Sequence, residues 1–296
     1  MNILIVKLYP LSEVINALPT INIIKKFYNA NITLVTHEFF FDFADLLEDV
    51  DYKVLYPENE LKSSNRKKYK ESLHKYRYDM IIDLEGSMES ALVCKKALRK
   101  PKTKIFGPSF QREGAFKLYD HISGTRNIDR HPEIQCMDIL KYLEIPISYS
   151  QIKYKLNMFN QYNNYSNFLL ISIDSHHPKK YINYEMCSKI IKNYSSNVII
   201  IGKDKSLENV EELEDYFSEN KVKILFKKLS LIQRIELLYR SSYCYCAHFD
   251  NIQLLSFLNK DGCMINMNNK KLAHPTYQNA KIINQEDFDS SENLYF

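Results

Sequence analysis

Residues 1–21 read MNILIVKLYPLSEVINALPTI. The run NILIV is short, apolar and β-branched. Apolar side chains then recur at helical spacing over 12–28, and the turn between the two reads Pro10, Leu11, Ser12, Glu13 where glycine is usual. A strand passing directly into an amphipathic helix is the first half of a βαβ unit, and a strand apolar at nearly every position predicts a parallel sheet covered on both faces. Glu13 then stands at the mouth of the first strand. Either it favours the positive end of the helix, as an acid in a first turn does, or it faces a ligand at the strand end and does chemistry there.

The same alternation continues outward from this unit. NITLVT, KVLY, DMIIDL and KTKIFG are further short β-branched runs, with a second amphipathic stretch over 60–76. After a polar, Tyr- and Asn-rich segment around 148–166 a second series begins with FLLISI, NVIIIG, KVKILF, SYCYCA and GCMINM. Strands alternating with helices predict two α/β halves, each a Rossmann-like parallel sheet, over residues 1–160 and 161–289. Ligands of such sheets bind at the carboxyl ends of the strands. The chain holds only six glycines and has neither G-x-G-x-x-G nor G-x-x-x-x-G-K-[ST]. A dinucleotide dehydrogenase or a P-loop enzyme is therefore disfavoured, and a nucleotide has to be held by strand ends and helix N-termini.

Composition narrows the class further. At 296 residues with 45% hydrophobic and 26% charged content, the chain is long enough for two domains of roughly 150 residues each. No run of about 18 apolar residues is present, and Met1 leads into strand-like sequence without the segments of a secretory leader, so a cytoplasmic location is expected. The net charge of +4 suits an anionic substrate or a weakly anionic membrane surface. Nucleic acid is not expected as a partner, because the lysines are scattered. The terminal SSENLYF resembles the remnant of an engineered protease-recognition tag, which sets residues 290–296 outside the fold. None of the six cysteines forms a C-x-x-C pair, so buried, reduced thiols are expected. In YCYCAHFD, Cys244, Cys246 and His248 alternate along one strand. A thiolate and imidazole metal site is one reading and small apolar sulfurs in a buried strand the other; local sequence supplies no fourth ligand.

Several longer segments are similar to a known family. MNILIVKLYPLSEVINALP resembles the first strand, loop and helix of the bacterial lipopolysaccharide heptosyltransferases, glycosyltransferase family 9, where a Ser-x-Gly-Asp pattern followed by a later Pro comes after ILIVK. YDMIIDLEGSMESAL, GPSFQREGAFKLYDH and RHPEIQCMDILKYLEIP continue the resemblance in order through residue 147. In the second half, IDSHHPKKYINYEMCSKII, NVIIIGKDKS and FKKLSLIQRIELLYRSSY resemble later segments of the family. The family's Asp-[Ser/Thr]-Gly-x-x-His loop is altered: without gaps its Asp falls on His248 and its His on Gln253, and Asp250 could replace that Asp only in a shorter loop.

The resemblance implies the GT-B fold, two Rossmann-like domains with parallel sheets facing a central cleft, and an inverting glycosyltransferase. It places Glu13 where the family has its proposed general base, one methylene longer than the usual Asp, with Ser12 in the place of the family's Gly. It implies donor binding by Ser175, Lys179, Lys180, Gly202, Leu229, Ser230, His248 and Asp250, the lysines meeting the charge of a nucleoside diphosphate leaving group without a metal. Two solvated lysines are the plainer reading of 179–180. Acceptor binding falls to Ser12, Arg66 and Arg112, guanidinium being suited to the phosphates and carboxylates of a lipid A-core glycan; Arg66, Lys67 and Lys68 also read as a solvated helix face. Asp83 and Glu85 are expected to shape the cleft floor, although Glu85 and Glu89 stand where Gln and a basic residue are usual. The implied donor is ADP-heptose and the implied acceptor a lipopolysaccharide core or related surface glycan, at the cytoplasmic face of the inner membrane. A different nucleotide sugar, or a glycan-binding homologue without transfer activity, are the alternatives.

Overall fold

The computed structural model describes residues 1–57, 63–126, 130–148, 152–174, 181–202, 222–225, 229–267 and 279–291. The chain divides into two units, Met1–Leu156 and Asn157–Phe296.

In the first unit six parallel strands lie in the order β3-β2-β1-β4-β5-β6: β1 Asn2–Val6, β2 Asn31–His37, β3 Tyr52–Tyr56, β4 Tyr78–Asp83, β5 Arg99–Pro108 and β6 His121–Ser123. β1 is central, and Ile3, Leu4, Ile5 and Val6 are fully buried, as a strand covered on both faces requires. The helix Leu11–Tyr28 begins after Pro10, which is pre-set for a helix start, and ends at Asn29, whose left-handed backbone closes the last turn. Glu13 in its first turn and Lys25 and Lys26 in its last complement the helix dipole. The segment 131–142 is two short helices, Pro132–Cys136 and Asp138–Tyr142, the first capped by His131, whose Nδ1 accepts from the Glu133 N–H. Arg130 grips both carboxylate oxygens of Asp138.

In the second unit six parallel strands lie in the order β12-β11-β10-β7-β8-β9: β7 Leu169–Ser172, β8 Val198–Ile201, β9 Val222–Leu225, β10 Tyr243–Cys246, β11 Gly262–Asn266 and β12 Ala280–Asn284. Counted from its own first strand, this order repeats that of the first unit, and both are the 3-2-1-4-5-6 order of doubly wound sheets. In the polar stretch before β7, Lys153–Lys155 pair with Leu46–Glu48 of the first unit, and the residues from Phe159 to Tyr162 are fixed to the second. The fully buried Glu236, on the helix Leu231–Arg240, accepts from the backbone N–H groups of Gln161 and Tyr162 and from Arg240, which also donates to the Phe159 carbonyl. The division at 156/157 therefore lies a few residues before the expected 160. Among the described residues no helix is long and apolar enough to cross a membrane.

Candidate functional site

In a 3-2-1-4-5-6 sheet the first and fourth strands are neighbours whose connections leave in opposite directions, opening a crevice at their carboxyl ends. In the first unit this crevice is charged. Lys7, directly after β1, is 2% exposed. Its Nζ donates to the Leu84 carbonyl at 3.0 Å and to Glu13 Oε2 at 3.2 Å, and lies 3.6 Å from Glu85 Oε2. The Glu13 side chain is 32% exposed, and among the described residues its second oxygen, Oε1, accepts no hydrogen bond. Glu85 is buried behind the loop: Oε2 accepts from the Leu8 and Tyr9 N–H groups at 3.3 and 3.4 Å, and Oε1 from Arg112 Nη2 at 2.9 Å. Two cations and two carboxylates thus balance within one cluster.

Asp83, the last residue of β4, is a buried carboxylate that shapes the turn and contacts no solvent. Oδ1 accepts from the Glu85 and Gly86 N–H groups at 2.8 and 3.0 Å, and Oδ2 from the Ser90 and Tyr119 hydroxyls, both at 2.7 Å. Burial nevertheless pushes its pKa up, with the four donors opposing the shift. Gly86 completes the turn with φ +77°, and a Cβ there would meet Pro108 Cγ at 2.8 Å. Burial alone would lower the Lys7 pKa, but Cys136, Glu85 and Glu13 beside it raise it. Burial pushes the Cys136 thiol up to about 12.

Among the sequence-derived candidates of the first unit, Glu13, Glu85 and Arg112 form this cluster. Arg112 is half exposed, with one nitrogen committed to Glu85 and Nε 3.8 Å from Glu113. Ser12 is buried in the first helical turn. Arg66, Lys67 and Lys68 are exposed on the helix Ser63–Leu73, which packs on the edge strand β3, two strands from β1. Lys67 faces Glu71 at 4.0 Å, and Lys68 lines a cavity of about 460 Å³ beside β3 with Asp45, Lys53 and Tyr69.

The second unit carries the donor-side candidates. Ser175, Lys179 and Lys180 lie outside the described residues. Gly202 follows β8, where a Cβ would meet Ile173 Cγ1 at 2.5 Å, so close approach to β7 requires glycine. Leu229 precedes Ser230, which caps the helix Leu231–Arg240: its Oγ accepts from the Gln233 N–H and the Gln233 side chain accepts from the Ser230 N–H. His248 caps the helix Phe249–Leu258, its Nδ1 accepting from the Asp250 N–H at 3.2 Å, with Asp250 Oδ2 3.8 Å away. His248 thus leaves the strand face that Cys244 and Cys246 occupy. All six cysteines are free and buried, and among the described residues no group of three or more His, Cys, Asp or Glu could hold a metal.

Residue-by-residue reading passed over Lys7, the centre of the cluster. Its signal was a lysine at the end of an apolar strand next to a predicted crevice, a place where a buried charge needs partners. It also passed over Asn251, whose Nδ2 donates to Ser172 Oγ at 2.8 Å at the equivalent crevice of the second sheet.

No family model and no curated protein matches the chain. Solved structures do. The E. coli heptosyltransferase WaaC with ADP is 17% identical, aligns over 96% of this chain and 93% of its own, and has a TM-score of 0.81. The glycosyl transferase family 9 protein from Veillonella parvula DSM 2008 is 14% identical over 100% and 88%, with a TM-score of 0.74. The E. coli ADP-heptose lps heptosyltransferase II is 16% identical over 96% and 90%, with a TM-score of 0.69. The similarity runs through both units, and together with two parallel sheets of the same strand order it establishes the two-domain α/β fold of GT-B type that these heptosyltransferases have.

Proposed function

We propose that the chain is an inverting glycosyltransferase that moves a sugar, heptose from ADP-heptose, onto a lipopolysaccharide core or related glycan at the cytoplasmic face of the inner membrane. The observation that carries this reading is the Glu13 carboxylate at the crevice of the first sheet. One oxygen is held by the buried Lys7; the other has no hydrogen bond among the described residues and is reachable from solvent. In the transfer an acceptor hydroxyl attacks the anomeric carbon, its proton passes to Glu13, and the bond to the nucleoside diphosphate breaks with the electron pair leaving on the phosphate. Arg112, with donors beyond the one given to Glu85, suits an anionic group of the acceptor, and Arg66 a more distant one. On the donor side we assign Ser175, Lys179, Lys180, Gly202, Leu229, Ser230, His248 and Asp250 to the nucleotide sugar, the lysines neutralising the leaving diphosphate without a metal. The ADP assignment is supported by the shared fold with an E. coli heptosyltransferase solved with ADP.

One observation favours a second donor. His248 spends its Nδ1 on capping, and Gln253, where the family has His, is buried, so a nucleotide sugar other than ADP-heptose is the alternative. Thermal denaturation with ADP, UDP, GDP and CMP decides between them, because a ligand of the folded state raises stability by mass action. ADP is expected to give the largest rise. A larger UDP or CMP shift would move the assignment to the second donor, and no shift from any of the four would remove the nucleotide-sugar reading.

A further inference from the structure

Glu85 has a role that its neighbours define. Among the described residues, each group within hydrogen-bond or ion-pair distance of its carboxylate is a donor: the Leu8 and Tyr9 amides and Lys7 on Oε2, and Arg112 on Oε1. A glutamine could accept with its one carbonyl oxygen on either side, but its NH₂ would then confront donors on the other. Only a carboxylate serves both. The two amides belong to the loop between β1 and the helix that begins at Leu11, so Glu85 holds the segment that delivers Glu13. Lys7 is shared between Glu85 and Glu13, at 3.6 and 3.2 Å.

We propose that Glu85 is the positioning residue for Glu13: it fixes the Glu13 loop through the Leu8 and Tyr9 amides and shares Lys7 with it, so that Lys7 is not committed to Glu13 alone. The catalytic part of this role rests on Glu13 being the base. The charged and titratable groups that face the pair are Lys7 after β1, Glu85 after β4, Arg112 and Glu113 after β5, and Cys136 with Glu133 on the helix Pro132–Cys136. Arg112 acts on Glu13 through Glu85: by occupying Oε1 it limits the pull of Glu85 on Lys7.

The test follows the Glu13 side-chain carboxyl carbon by NMR in the ¹³C-labelled full-length protein, identified by its loss in Glu13→Gln. In Glu85→Gln, Lys7 belongs to Glu13 alone, and the Glu13 titration midpoint is expected to fall by about 0.5 pH unit or more. In Arg112→Gln, Glu85 claims more of Lys7 and the midpoint is expected to rise by a similar amount. In the double variant Arg112→Gln should add no further movement, since its route through Glu85 is gone. Transfer by Glu85→Gln should show the same downward shift in the acidic limb of its kcat/KM profile, with kcat lower by roughly 3–10-fold and the ADP-induced thermal shift unchanged. A Glu13 midpoint that stays put in both single variants overturns the proposal, as does an Arg112→Gln shift of equal size with and without Glu85. If Glu85→Gln does not fold, Glu85→Asp, whose shorter carboxylate loosens the hold on the Leu8 and Tyr9 amides, takes its place: an Arg112→Gln shift smaller in that background supports the proposal and one of equal size overturns it. Should the midpoints move as expected while the wild-type protein transfers no sugar, the positioning stands and the transferase reading fails.

Discussion

The carboxyl ends of the two central strands can be superposed bond for bond, and they hold opposite chemistry. Lys7 donates its N–H to the Val35 carbonyl on β2, and Ile173 donates in the same way to Ile201 on β8, both at 3.0 Å. Leu84 donates to the Val6 carbonyl as Ala247 does to that of Ser172. By this register Lys7 corresponds to Ile173, Asp83 to Cys246 and Glu85 to His248. The first crevice is a cluster of buried charges, while the described part of the second has apolar side chains, a capping imidazole with Asp250 3.8 Å away, and the neutral amide of Asn251. One topology therefore sets where a crevice opens, and the side chains at two or three register positions set whether it can exchange protons.

The sharpest way to break this contrast is to remove the proton acceptor. Glu13→Gln keeps the shape and the contact with Lys7 but cannot take a proton, so sugar transfer should fall by roughly 10²–10⁴ with nucleotide binding little changed. Turnover near the wild-type rate, measured per folded molecule, would return Glu13 to its helix-dipole role.

Next in size is Lys7→Met, which makes the first crevice resemble the second. It takes the ammonium from two carboxylates, leaving Glu13 without its cation and the buried Glu85 with Arg112 and two amides only, and should cost about 3–5 kcal/mol of unfolding free energy. The pH dependence follows from the raised Lys7 pKa. A group whose pKa is higher in the folded state stabilises fully below its unfolded value of 10.5, and that part is lost as pH rises through the folded value. The gap between wild type and Lys7→Met in chemical denaturation should accordingly be steady through neutral pH and narrow in strong alkali. A gap that closes near neutral pH would show that Lys7 is not held charged by its carboxylates.

The smallest effect is expected at the second crevice. Gln253 is buried, and its Nε2 finds no hydrogen-bond partner among the described residues. Gln253→Leu removes an unsatisfied donor and should change stability by less than about 1 kcal/mol in either direction. A loss of several kcal/mol would mean that this amide supports a polar network, and that the second crevice is less neutral than its described contacts indicate.

Much of this was legible in the chain itself. The runs NILIV, DMIIDL and FLLISI could be read as buried parallel strands because their central positions are all apolar, and that pattern survives any detail of packing. Two strands escaped: β6, only His121–Ser123, and β12, Ala280–Asn284, both at sheet edges where short or half-exposed strands lose the pattern. The segment RHPEIQCMDILKYLEIP holds two short helices that meet at Met137. The candidate site was legible in part. Glu13 stood out because an acid at the end of a strand is unusual, and Arg112 through its motif.

Sequence by itself therefore determined the two α/β series of strands and helices and the carboxylate at the first strand end, since these depend on local periodicity and on residue type at one position. Tertiary structure alone decided which charges meet. Lys7 and Glu85 are 78 positions apart and Glu85 and Arg112 a further 27, and only the adjacency of β1, β4 and β5 brings them within hydrogen-bond reach. It likewise decided that Asp83 shapes a turn instead of facing a ligand, and that Ser230 and His248 cap helices. A side chain's role is set by the donors and acceptors left unpaired around it after the backbone has folded, and one-dimensional spacing carries no record of those.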